Sequence, residues 1–174
     1  MGIFDREEVI KKAADNLVRA GSTFSQDKFA VYESALDKES ADLSSWAMDT
    51  ICENARVARQ NQSPLCDDTG IPHLILEVGK NRTISGDFLE AVYEGIEEGL
   101  RTLPGRPMAI MGDDTARIDQ SGGLNPDSEA VVRAPLMLKY SEEADRLRLT
   151  VLMQGGGPEI RAKTYRVFHR HSLD

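Results

Sequence analysis

Pro64-Leu65-Cys66-Asp67-Asp68-Thr69-Gly70, followed three residues later by Leu74-Ile75-Leu76-Glu77-Val78, is the stretch on which the reading of this chain turns. The first run is polar and turn-prone and closes on glycine. The second is a short, almost wholly apolar run of the kind that makes a buried strand. Before it the apolar residues recur at helical spacing, and after it the pattern becomes mixed. The fold therefore changes character at this point, from helices to helix and sheet.

Working upstream, Val9, Ile10, Ala13, Leu17 and Val18 form an apolar stripe that stops at Gly21. A shorter helix is expected around Phe29, Tyr32, Ala35 and Leu36. A longer one runs from about Ser40 to Arg59, with Leu43, Trp46, Ala47, Ile51, Ala55 and Ala58 on one face, and such stripes normally pack into a core. Downstream, Ser85-Gly86-Asp87 opens a helix carrying Phe88, Leu89, Val92, Ile96 and Leu100, which ends at Pro104-Gly105. Arg106 to Asp127 reads as loop, with a short apolar piece at Met108-Ala109-Ile110-Met111. Ala130 to Tyr140 and Leu147 to Gln154 read as strands. The polar turn between them, Ser141 to Asp145, predicts an antiparallel hairpin. The expected fold class is α+β over residues 1–174 as a single domain, N-terminal helices followed by a mixed or antiparallel sheet.

A chain of 174 residues is long enough for one domain with a sizeable core. Its formal net charge of −8 argues against a nucleic-acid surface, while leaving room for an acidic ligand wherever a few arginines converge. The opening residues Met1 to Glu8 carry no secretory pattern, and Arg6 stands where N-myristoylation wants Ser or Thr. No apolar run is long enough to span a bilayer, so the protein is expected in the cytoplasm, away from membranes and nucleic acid. In that reducing compartment Cys52 and Cys66, the two cysteines, are expected to stay free. Cys52 lies in a helical pattern and reads as a small buried residue.

Cys66 reads differently, because its neighbours are polar. As a nucleophile it would need a base, and His73 is the histidine nearby, but the flanking carboxylates of Asp67 and Asp68 repel a thiolate. As a metal ligand it would be held as thiolate by the metal itself. Asp67 and Asp68 can move protons or simply make a turn. Arg106, in Leu103-Pro104-Gly105-Arg106, can hold a carboxylate through its guanidinium fork or stand in solvent. Gly155-Gly156-Gly157 can expose backbone N–H groups to a carboxylate oxygen or merely end a strand. His169 and His171 near the C-terminus carry no metal expectation.

The Cys66-Asp67-Asp68-Thr69-Gly70 run resembles the Cys-Gln-Asp-Thr-Gly segment of class I fumarases and the related L-tartrate dehydratases. Gly155-Gly156-Gly157-Pro158-Glu159 resembles that family's Gly-Gly-Gly-Ser-Glu-Asn stretch, with Pro158 in place of the serine. The resemblance covers most of the chain and implies the fold of the N-terminal part of the family's alpha domain. It implies that Cys66 ligates a [4Fe–4S] cluster, that Asp68 has an acid–base role, and that position 67, Arg106 and the three glycines meet a small dicarboxylate. Lys163 lies near a family lysine, whereas the Asn125 loop matches too loosely to carry a role. Aspartate at 67, where the family has glutamine, would repel a dicarboxylate that an amide would attract.

The implied activity is reversible hydration of fumarate to L-malate, by an enzyme that needs further alpha-subunit cysteines and a beta subunit or domain. Two cysteines fall short of the three thiolates the cluster takes. The chain is therefore expected to be an N-terminal piece of such an alpha subunit, to hold no cluster unaided, and to dimerise as family members do. Two other readings stay open: a catalytically inert relative that binds a partner or a dicarboxylate, and a thiol enzyme built on Cys66.

Overall fold

The computed structural model of the protein describes residues 4–66, 70–103, 127–130 and 135–155. Three helices come first, α1 (Arg6–Ser22), α2 (Gln26–Leu36) and α3 (Asp42–Asn61). Strand β1 (Ile71–Gly79), helix α4 (Gly86–Thr102), a short 3-10 turn (Ser128–Ala130), and strands β2 (Met137–Ser141) and β3 (Leu147–Gln154) follow. The α+β expectation holds: helices lead, and a three-stranded mixed sheet follows.

The helices begin where local chemistry starts them. Asp5 caps α1 by accepting the Glu8 N–H at 3.1 Å, and Ser85 caps α4 by accepting the Phe88 N–H at 3.1 Å. α1 and α4 are the layer that covers the sheet. Ala13, Leu17 and Val18 of α1 meet Phe88, Val92, Ile96 and Leu100 of α4, and both stripes close over Leu74 and Leu76 of β1. The two helices approach closely because Gly95 of α4 faces the Ile10 carbonyl and the Ala13 side chain, where a Cβ would have no room. At the far end of α4 the Ser128 hydroxyl donates to the Leu100 carbonyl at 2.7 Å, and Arg101 pairs with Glu129 at 3.2 Å.

The sheet corrects one expectation. β2 and β3 do not form a hairpin with each other; β1 lies between them, in the order β2-β1-β3. β1 pairs parallel with β2, Ile75 beside Met137, and antiparallel with β3, Ile71 beside Gln154. The most buried strand thus takes the centre, where both its edges are bonded and Leu74 and Leu76 are shielded. The turn after β2 has to step across one strand, about 10 Å between β2 and β3. It does so over the end of β1: the Gly79 N–H donates to the Arg146 carbonyl at 2.8 Å, and the Asn81 N–H to the Ala144 carbonyl at 2.9 Å. A Cβ at Gly79 would overlap the Glu143 and Ala144 carbonyl oxygens, so the crossing depends on glycine there.

A second expectation fails along α3. Its C-terminal half is buried through Cys52, Ala55 and Ala58, but Leu43 and Trp46 are 76% and 66% exposed. α2 meets α3 at Arg56, through Glu33 and Phe29, and has no buried residue of its own. The helical pattern was right, but among the described residues nothing covers Leu43 and Trp46. No helix there is long and apolar enough to cross a membrane.

Candidate functional site

The cysteine loop is fixed to the helices before it reaches the sheet. α3 ends with Gln62 in the left-handed conformation (φ 51°, ψ 40°), which turns the chain sharply and lets the Ser63 N–H reach the Ala58 carbonyl at 3.0 Å. Leu65 then bonds at both ends of its peptide unit: its N–H donates to the Gly21 carbonyl at 2.9 Å, and its carbonyl accepts from Asn54 Nδ2 at 2.9 Å. Cys66 follows directly and is exposed. Gly70, at the other end of the loop, is buried at the entry to β1. An exposed thiol thus stands between two anchored points, which is what a ligand or nucleophile needs and an inert cysteine does not.

Strand register brings the second motif to the same end of the sheet. Ile71, the first residue of β1, sits opposite Gln154, the last residue of β3. The chain therefore enters β1 from the Cys66 loop and leaves β3 at Gly155 on adjoining strands. Residues 71 and 154 are far apart in sequence, and the antiparallel pairing is what makes them neighbours in the fold. Asp67, Asp68, Arg106, Gly156 and Gly157 lie outside the described residues, as do Asn125, Lys163, His169 and His171. His73 is half-buried on β1, in register with Leu152 of β3.

Electrostatics on the sheet centre on Glu77. Lys139 Nζ on β2 approaches its carboxylate at 3.2 Å, and Arg148 Nε on β3 at 3.8 Å. The hydrogen bond from Lys139, aided by the charges of Lys139, Arg146 and Arg148, holds the Glu77 carboxyl below its usual value of 4.5. This triad ties the three strands together at the end away from Cys66, and it is structural.

The residues that sequence reading missed are arginines. A cleft of about 1110 Å³ between α1, α2, α3 and β3 is lined by Arg19, Arg56, Arg59 and Arg148, with no acidic residue in its lining. The sequence shows only Arg56 and Arg59 together, in Asn54-Ala55-Arg56-Val57-Ala58-Arg59; the other two join them through packing.

Comparison with known proteins now bears on the cysteine loop. A family model described as fumarate hydratase (Fumerase) matches residues 10–173. The chain belongs to the fumarate hydratase family. A protein of Methanocaldococcus jannaschii, provisionally named an L(+)-tartrate dehydratase subunit alpha, is 30% identical over 131 residues. The match takes in 73% of this chain and 43% of that relative, so the chain spans less than half of the relative's length.

The family implies an iron–sulfur cluster, and the donors present can be tested for it. Cys66 offers one accessible thiol, while Cys52 is fully buried in α3. Among the described residues no three His, Cys, Asp or Glu side chains are grouped to hold a metal. The described residues therefore do not compose a cluster site on their own; they present one ligand of the right chemistry at a fixed place.

Proposed function

We propose that this chain is a component of an iron–sulfur hydro-lyase that reversibly hydrates a small dicarboxylate, fumarate to L-malate, once completed by the remaining alpha-subunit cysteines and a beta subunit. The observation that supports this most strongly is the pairing of Ile71, after the Cys66 loop, with Gln154, before Gly155, in a chain matched to the fumarate hydratase family along residues 10–173. A relative named as a subunit alpha supports a partner subunit, and its name makes L-tartrate the second substrate to try.

In this reading Cys66 is one cluster ligand, Asp68 transfers a proton, and Arg106 with the backbone N–H groups of Gly155, Gly156 and Gly157 holds the substrate carboxylates. The cluster, when assembled, supplies Lewis acidity. The complete enzyme is a homodimer in the cytoplasm, where an exposed thiol such as Cys66 persists.

Asp67 favours a second reading, a relative that binds a dicarboxylate without turning it over, because its carboxylate opposes the substrate's charge. One experiment separates the two. The chain is combined anaerobically with a beta subunit and an alpha-subunit segment of the family, and fumarate hydration and L-tartrate dehydration are followed. Turnover that requires all components and disappears in Asp68→Asn supports the hydro-lyase. Turnover seen only in Asp67→Gln supports the inert relative, and none in either chain contradicts the hydro-lyase.

A further inference from the structure

The arginine-lined cleft has a lining charge opposite to that of the molecule. The chain carries a net −8, yet four guanidinium groups and no carboxylate line a cavity large enough for a small molecule. Those four groups divide into two kinds. Arg56 and Arg148 are held from outside the cleft. Arg56 reaches Glu33 at 3.0 Å and Glu53 at 3.5 Å and lies 5.5 Å from the Phe29 ring centroid, and Arg148 reaches Glu77 at 3.8 Å. Arg19 and Arg59 have no ion pair with any described residue.

Arg19 and Arg59 stand in the last turns of α1 and α3, where an arginine complements the helix dipole. That explains each singly. It does not explain why two helix ends, a third arginine stacked on Phe29 and a fourth from β3 all face one cavity. Backbone groups are available there too, since β3 pairs with β1 along one edge and with no described strand along the other. The N-terminus of α2 lines the cleft through Ser25 and Gln26, and the Asp27 carboxylate beside them takes the hydroxyl of Ser25 and the N–H groups of Asp27 and Lys28, which holds its pKa below the usual carboxylate value.

We infer that this cleft binds a small oxyanion carrying two negative charges, gripped by the guanidinium forks of Arg19 and Arg59 and flanked by Arg56 and Arg148. A phosphate group and a dicarboxylate share that chemistry: paired, negatively charged oxygens matched to a guanidinium fork, in a partly enclosed space where the charge is weakly screened. Cys66 is not among the lining residues, and the inference does not rest on the hydro-lyase reading.

The test is calorimetric titration of the chain with inorganic phosphate and, separately, with succinate, at constant ionic strength set by chloride. The expected result is one-site binding of at least one of the two, weakened about tenfold or more in the Arg19→Gln/Arg59→Gln double variant and unchanged in Arg101→Gln, whose arginine pairs with Glu129 elsewhere. Binding of phosphate alone assigns a phosphate ligand, binding of succinate alone a dicarboxylate, and binding of both the shared chemistry. Should the double variant not fold, the arginine Nε–H resonances of the unaltered chain serve instead, with Arg19 and Arg59 shifting on titration and Arg101 not. No saturable binding, binding that survives the double substitution, or resonances that shift elsewhere would overturn the inference and leave the arginines serving their helix ends.

Discussion

Cys66 and Cys52 show what a few ångströms of position do to one side chain. The thiol of Cys52 is fully buried against the helical layer, and that of Cys66 is exposed on a loop tied by Gly21 and Asn54. Iodoacetamide at neutral pH is therefore expected to modify Cys66 in the native chain and to reach Cys52 only in denaturant, as read by mass spectrometry of the peptides. Equal labelling of both in the native state would refute the burial of α3. Glu77 carries a pH prediction. Its folded-state pKa is depressed, so its pairing contributes stability above the unfolded value near 4.5, and that contribution is lost as pH falls through the lower folded value. Melting temperatures followed downward from neutral pH should fall less steeply below 4.5 in Glu77→Gln than in the parent, from a lower starting point. Parallel curves would show that the three-strand pairing contributes nothing.

At the scale of elements, the crossing over β1 is the feature most sensitive to a single atom. Gly79→Ala would push a methyl group into the Glu143 and Ala144 carbonyls, and overpacking against backbone costs about 1–3 kcal/mol or more. Urea unfolding should show that loss, and an unchanged midpoint would mean that the turn does not sit on Gly79. This element also marks the limit of what could be read from the chain. The helices and two of the strands were legible because their apolar spacing is local: Ser85 as the start of α4 and the Leu74-Ile75-Leu76 strand both fall where the pattern puts them, whereas the strand expected from Ala130 begins only at Met137, after a 3-10 turn at Ser128–Ala130. Pairing was not. The turn at residues 141–145 reads as a hairpin turn in isolation. It becomes a crossing because β1 lies between β2 and β3 and takes both as partners, a pairing of segments some sixty residues apart. The exposure of Leu43 and Trp46 was hidden for the same reason, since periodicity says that a face is apolar and not what covers it.

For the molecule as a whole, the site motifs were visible as residue runs, but their convergence was not. The antiparallel register of β1 and β3 brings the start of β1, which follows the Cys66 loop, beside the end of β3, which precedes Gly155, and no local pattern contains that fact. The arginine cleft is a still more collective property, assembled from two helix ends, the face of a third element and an edge strand. The chain's net negative charge gave no hint of it.

The most direct measurement is anaerobic iron and sulfide reconstitution, followed by visible absorbance, of the chain alone, of the chain with the alpha-subunit segment and beta subunit of its family, and of Cys66→Ala in the same mixture. The account predicts cluster absorbance in the complete mixture, none with the chain alone, and a loss of most of the signal in Cys66→Ala. A cluster formed by the isolated chain, or one in the mixture that is indifferent to Cys66, would contradict it.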